Sequence, residues 1–311
     1  MRPTRTGSSG SVLTPEEAYA AWGNHVRIQI IETLNKADEP LSFTEVFDRL
    51  DYDSQPNLTY HLGELVDHFV TKTEAGYRLS WTGKLVARSA ILAGRVTRLS
   101  QIGPTEVDVD CPLCRAPLVV RYADNILHVR CTDCVGLWAH RTDGKVIGFT
   151  APPQALDVRT VEAAFHALAH RAMGTLAALA HDICPVCGAT VDRTVSICMG
   201  HEATGQYLCD TCTRRRPTSV RYKCAGCGYG RSKLPAGLAL VADGSLDDPF
   251  AGYGEAIPRG WAAYDLGLSA DAALRATDPF RLRLSLPVDD EPIVVTVDDA
   301  LSILEHDRPH Q

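Results

Sequence analysis

The first 110 residues of this 311-residue chain contain no cysteine, and all eleven cysteines lie beyond them. Lysine is scarce beside arginine, and no apolar run approaches the roughly 18 residues that a membrane-spanning helix needs. The opening MRPTRTGSSGSVL carries two arginines but no apolar segment of the kind a secretory leader uses. These absences argue against a helical membrane protein and predict a soluble, cytoplasmic one with no membrane partner. A reducing compartment keeps thiols free, so grouped cysteines there point to metal or redox sites rather than to staples. Catalytic signatures are missing too: there is no phosphate-binding Gly-x-x-x-x-Gly-Lys loop, no Gly-x-Gly-x-x-Gly, no Gly-x-Ser-x-Gly and no kinase set.

What is present divides along the chain. The length and 45% hydrophobic content suggest two to four domains. The net charge of −7 is uneven: −1 over residues 1–100, −1 over 101–150, +4 over 151–234 and −9 over 235–311. After an arm over 1–13 that is expected to be disordered, Thr14-Pro15-Glu16-Glu17 combines capping-box spacing with proline at the first helical position. Trp22, Val26, Ile30 and Leu34 recur at four-residue steps and predict one helix to about Ala37. Ser42-x-x-Glu45 caps a second helix with Phe43, Val46, Phe47 and Leu50. A third, from about Ser54, buries Leu58, Leu62, Leu65 and Phe69. Two β-like runs, 70–73 and 77–81, flank Glu74-Ala75-Gly76 as a hairpin, and a fourth helix covers about 82–99.

Three helices, a hairpin and a helix is the winged helix-turn-helix order, here over 14–100, in which the third helix enters the major groove of double-stranded DNA. Its outward face, opposite Leu62, is predicted to hold Asn57, Tyr60, His61, Glu64 and His68. Gln55 at its start joins Asn57, Tyr60 and His61 as a candidate base-contacting residue. Lys72, Arg78 and Lys84, with Arg2, Arg5 and Arg88, are candidate phosphate contacts. A helical bundle with a merely solvated face fits the same pattern, and the missing basic surplus is unusual for a nucleic-acid binder.

The run from Pro40 to Ile91 resembles the ArsR-like winged-helix domain of archaeal, especially haloarchaeal, transcription regulators. The likeness rests on Tyr60-His61-Leu62-x-x-Leu65, His68-Phe69-Val70 and Gly76-Tyr77-x-Leu79-x-x-Thr82-Gly83. Members of that family continue into cysteine-rich modules and a C-terminal α+β segment. The resemblance therefore implies a DNA-binding transcription regulator, expected to be a homodimer, from a salt-adapted source that would tolerate the missing basic surplus. The usual thiol effector site on the winged helix is absent, because that region has no cysteine.

Cys111-x2-Cys114, sixteen residues, then Cys131-x2-Cys134 has zinc-ribbon spacing, over 106–149. A two-residue gap lets one turn place two thiolates on adjacent corners of a tetrahedron. A helix over about 158–182 follows; its Val161, Phe165, Leu168, Ala172 and Leu179 can pack in a core or across a dimer, and His166 and His170 stand one turn apart. In 183–234, Cys184, Cys187, Cys198, His201, Cys209, Cys212, Cys224 and Cys227 supply eight more ligands. The twelve ligands make three closed sites and predict three structural zinc ions per chain. The second region pairs either as 184/187 with 224/227, leaving Cys198, His201, Cys209 and Cys212 as an inserted site, or as 184/187 with 209/212 and 198/201 with 224/227. His201-Glu202 evokes a zinc-protease motif, but Gly205 stands where the second histidine belongs. No open metal position is left, so the chain is not expected to be an enzyme. Arg214-Arg215-Arg216, with Arg221 and Lys223, is a candidate phosphate patch or a solvated run. The acidic 235–311 segment reads as a small α+β unit suited to a protein partner. The expected fold class is multi-domain α+β: a winged helix-turn-helix, zinc-ribbon modules and a C-terminal α+β segment. The competing reading is a zinc-dependent protein-interaction scaffold on transcription or RNA machinery that does not read bases.

Overall fold

A computed structural model of the chain describes residues 13–50, 52, 54–94, 101–138, 144–156, 159–202, 208–252, 258–288 and 292–307. The expected N-terminal arm, except Leu13, and the end of the helix expected to reach residue 99 lie outside them. The chain is a multi-domain α+β protein and divides after Arg98 into two compact units.

The N-terminal unit comprises α1 (Pro15–Trp22), α2 (His25–Asn35), α3 (Phe43–Leu50), α4 (Gln55–Leu65), β1 (Val70–Thr73), β2 (Gly76–Leu79) and α5 (Trp81–Gly94). The Thr14 capping box forms in both directions, with Thr14 N donating to Glu17 Oε2 at 2.8 Å and Glu17 N donating to Thr14 Oγ1 at 3.2 Å. The single helix expected over 15–37 is in fact two. The amide of Gly23 closes α1 on Tyr19 O at 2.8 Å, and Asn24 Oδ1 accepts from Val26 N at 2.9 Å to open α2. The four-residue stripe survives the break because both helices turn the same side inward: Ile30 and Leu34 are buried, with Trp22 and Val26 packed against them. Ser42 and Glu45 also close their capping box. Leu58, Leu62 and Leu65 bury one side of α4, and Phe69 completes that core beyond the helix end. The hairpin pairs Val70 with Leu79 through Thr73 with Gly76, and Leu41 adds a bridge to Tyr77. Gly76 has a φ of 128°, and a Cβ there would sit 2.3 Å from Leu41 O, so the turn needs glycine.

The second unit holds three antiparallel sheets around three apolar helices. β3 (Ile102–Asp110), β4 (Pro117–Ala123), β5 (Ile126–Cys131) and β6 (Lys145–Thr150) form one meander. After α6 (Val161–Ala180), β7 (Val191–Ile197), β8 (Thr218–Cys224) and β9 (Gly230–Leu234) form the second. Then α7 (Ala236–Asp243), α8 (Asp247–Gly252) and α9 (Trp261–Ser269) precede β10 (Asp271–Thr277), β11 (Phe280–Leu286), β12 (Ile293–Val297) and β13 (Ile303–His306). The segments read separately as 106–149, 158–182, 183–234 and 235–311 share one apolar core. The stripe of α6 is used inside it: Phe165, Leu168 and Leu179 are buried, and α6 packs on β3, β6, α7 and α9. Phe149, Phe165, Trp261 and Tyr264 join across these elements, with Phe149 and Tyr264 edge to face at 5.2 Å. α7 and α9 approach so closely that a Cβ on Gly267 would lie 2.5 Å from Leu238 Cα.

Candidate metal centres and nucleic-acid interface

Four of the six ligand pairs are set by one repeated turn. Cys111, Cys184, Cys209 and Cys224 each donate their amide to the carbonyl five residues on, at 2.9, 2.9, 3.0 and 2.8 Å. Each also accepts, at its own carbonyl, the amide four residues on: Arg115, Gly188, Thr213 and Gly228. Those four residues have φ of 64°, 74°, 55° and 74°. A left-handed residue just after the second cysteine turns the chain back and leaves both sulfurs facing one point. The sequence reading missed these positions. Glycine at 188 and 228 was a visible signal, whereas Arg115 and Thr213 carry none. The other two pairs hang from neighbouring strands, through Cys131 N to Gly144 O at 2.8 Å and Cys198 N to Pro217 O at 2.9 Å.

The twelve ligands meet in three groups: Cys111, Cys114, Cys131 and Cys134; Cys184, Cys187, Cys224 and Cys227; and Cys198, His201, Cys209 and Cys212. Within each group the ligand atoms lie within 4.8 Å of one another. Of the two pairings open for 183–234, the chain adopts the one with 198–212 inserted, because β7 and β8 pair Val191 with Cys224 and bring the outer knuckles together. Sulfur–sulfur distances of 3.8 Å (Cys111–Cys134), 3.4 Å (Cys114–Cys131), 3.6 Å (Cys184–Cys227) and 3.5 Å (Cys187–Cys224) are far beyond the ~2.05 Å of a disulfide. They suit a tetrahedral ion about 2.3 Å from each sulfur, which sets the sulfurs about 3.8 Å apart. His201 turns Nδ1 toward Cys212 Sγ at 3.4 Å, and its Nε2 lies 3.3 Å from Arg215 O, which fixes the ring for a ligand role. The chain thus offers three four-ligand sites for metal ions.

The electrostatics within each group favour partial ionisation. Backbone amides of Cys227 and Gly226 hold the Cys224 thiol down at about 6, and those of Cys212 and Glu202 do the same for Cys209, also to about 6. At Cys131 burial opposes the amides of Asp133 and Cys134, and the amides prevail. Burial lifts Cys134 to about 11 and raises Cys111 further. One thiol in each group is thus held below its ordinary range, and a bound cation would supply the charge that ionises the rest.

The basic run 214–216 does not form a phosphate patch. Arg216 donates to Leu268 O at 3.1 Å and Ser269 O at 2.8 Å and pairs with Asp271, so it caps the C-terminus of α9. Arg215 donates to Leu113 O at 3.1 Å, and Arg214 reaches the carbonyls of Pro217 and Thr218. Arg115 clasps Asp265 on α9 at 2.8 and 2.9 Å, so side chains from two metal knuckles are bonded to the same helix. His166 pairs with Glu162 at 3.0 Å, while His170 lies where a Cβ on Gly260 would be, and among the described residues the two histidines do not converge with a third ligand.

On α4, Gln55, Asn57 and Tyr60 are exposed, and Asn57 Nδ2 donates to Tyr52 Oη at 2.7 Å. His61, expected beside them, is only 8% exposed. Arg27 of α2 reaches it, its Nε donating to His61 Nδ1 at 3.3 Å. Burial and the Arg27 charge hold His61 below its ordinary range. Glu64 is paired with Arg27, and His68 lies past the helix end, so the outward face is narrower than expected. Lys72, Arg78 and Lys84 are exposed. Thr71 opposes Arg78 and Lys72 opposes Tyr77, so Lys72 and Arg78 leave opposite faces of the hairpin. Among the described residues no helix is long and apolar enough to cross a membrane.

No curated protein and no solved structure matches the chain. A family model described as a domain of unknown function, DUF7347, matches residues 15–90, which is the N-terminal unit from α1 into α5. A second domain of unknown function, DUF7351, matches residues 108–303, more than half of the chain and all twelve ligands. By that match the chain belongs to the DUF7351 family.

Proposed function

We propose that this chain is a sequence-specific DNA-binding transcription regulator, with an ArsR-like winged helix in its N-terminal unit and three structural zinc ions in its second. The observation that carries the reading is the build of α4: one side is buried through Leu58, Leu62 and Leu65, and the other offers Gln55, Asn57 and Tyr60. Amides and phenols of this kind can donate to and accept from base edges in a major groove. The hairpin and α5 place exposed Lys72, Arg78 and Lys84 after that helix in the winged-helix order, suited to phosphate. Zinc is the ion that best suits closed sets of thiolate and imidazole ligands. It would act through folding free energy rather than as a reaction centre. We propose a homodimer, as paired half-sites require.

The test is selection of genomic fragments by the purified full chain, followed by a salt titration of the recovered sequence against scrambled DNA. A regulator enriches defined sites and keeps a specificity ratio as salt rises, while overall affinity falls. Uniform recovery, or no recovery, would favour the protein-interaction scaffold, which the N-terminal net charge of −1 also suits.

A further inference from the structure

The second unit contains a cavity of about 520 Å³ that no metal ligand lines. That size lies within the roughly 300–1,000 Å³ of small-molecule sites. It opens between α6, the β5–β6 edge, β9 and α9, against Ile147, Phe149, Leu176 and Leu234, which form an apolar wall. The polar side of the lining is cationic. Arg231, Lys145 and Lys233 all line it, and among the described residues no aspartate or glutamate does. A second cavity of about the same size shares Thr150, Ala172, Thr175 and Arg231 with the first, so Arg231 stands where the two meet.

Arg231 is half-buried, and its guanidinium sits 5.1 Å over the Tyr229 ring. Among the described residues no carboxylate pairs with it. A fixed, planar cation beside apolar walls is matched by a ligand that brings its own carboxylate and an apolar body. Tyr264, also in the lining, keeps its phenolic proton because burial outweighs the opposing charge of Arg231, so its hydroxyl stays a donor.

We propose that this cavity binds a small amphipathic carboxylate, an alkyl or aryl acid of about eight to ten carbons, with its headgroup on Arg231 and its body against the wall formed by Ile147, Phe149 and Leu176. This inference is independent of whether the chain reads DNA. The test is calorimetric titration of the metal-loaded full chain with octanoate, octanol and octylamine, which share one body and differ in charge. Octanoate binds once per chain and about tenfold more tightly than octanol, and octylamine more weakly still. Arg231→Gln brings octanoate down to the octanol level, Arg231→Lys recovers part of the difference, and Ala172→Phe, which fills the wall shared by the two cavities, removes both. Absence of octanoate binding, equal binding of octanoate and octanol, or unchanged octanoate binding in Arg231→Gln would overturn the proposal. If Ala172→Phe loses metal or helical signal, the two Arg231 variants decide alone.

Discussion

Arg27 Nε donates to His61 Nδ1 at 3.3 Å inside the N-terminal unit, and the same guanidinium reaches Ala20 O, Ala21 O and Glu64. One side chain thus closes the end of α1, anchors α2 and fixes a histidine of α4 in its neutral form. Because burial and Arg27 depress the folded-state pKa of His61, the unfolded chain takes up that proton first. The stability that neutral His61 contributes is fully present above the ordinary value of 6.5 and is lost as pH falls through the folded value. Protection factors for amide hydrogen exchange in α2 and α4, taken against the intrinsic rate at each pH, should therefore fall as pH drops below about 6.5. His61→Gln should remove that pH dependence, and His61→Ala should cost about 1–3 kcal/mol at neutral pH by stranding Arg27 Nε. Exchange with the same pH profile in wild type and His61→Gln would refute the assignment.

Arg216 is the second test of an internal role where the sequence suggested a surface one. Replacing it with alanine strands the carbonyls of Leu268 and Ser269 and should destabilise the second unit by about 2–3 kcal/mol in chemical unfolding. Arg216→Lys keeps the charge but not the fork, and should lose most of the same stability. DNA affinity should stay unchanged in both, and a loss of affinity without a loss of stability would restore the phosphate role.

The contrast between His61 and the cysteines shows what the sequence could carry. Ligand spacing is local chemistry: two residues between cysteines define a turn whatever surrounds it, so the twelve ligands were legible from the sequence. So were Ser42 with Glu45, the hairpin around Gly76, and the strands that join the outer knuckles. The break at Gly23 and Asn24 was hidden because the apolar period runs straight through it. His61 was misplaced because its burial goes with Arg27 of α2, a partner brought up by tertiary packing rather than by the period of α4. The apolar run of α7 carries no period at all, since every residue from Ala236 to Ala242 is buried. The arginines at 214–216 look like a solvated run until their acceptors on α9 and near Cys111 are in view.

Metal content tests the three ligand groups directly. Elemental analysis of protein purified without chelator should give three zinc per chain, and fewer than two would count against the closed sites. Chelation should raise hydrogen exchange in the second unit far more than in the first, where Ile30, Leu58 and Leu62 form a core without metal. The knuckle geometry adds a finer prediction. Gly228 has a φ of 74° and open space around it, so Gly228→Ala meets no clash and pays only the left-handed conformation, about 1–2 kcal/mol. Zinc should leave that variant's Cys184, Cys187, Cys224 and Cys227 site first under competition with a chelator. Retention equal to wild type would mean that the turn does not set the site.

The exposed side of α4 gives the prediction on which the functional reading depends. Asn57 and Tyr60 stand clear of the core, and Asn57 is steadied by Tyr52 rather than by any buried partner. Replacing Asn57 or Tyr60 with alanine should leave folding intact and, at a selected operator, cost about 1–3 kcal/mol while relaxing preference at one position, because a base edge loses its partner. Replacing Lys84, or whichever of Lys72 and Arg78 faces the DNA, should instead weaken binding to every sequence alike and lower the salt slope by about one, because a phosphate contact carries no sequence information. Lys72 and Arg78 leave opposite faces of the hairpin, so one of the two should account for most of the hairpin's effect. The two classes of variant must then differ in kind, one in preference and the other in salt dependence. If alanine at Gln55, Asn57 and Tyr60 together changes neither affinity nor preference, α4 is not the reader, and a scaffold that uses this unit for protein contacts becomes the better account.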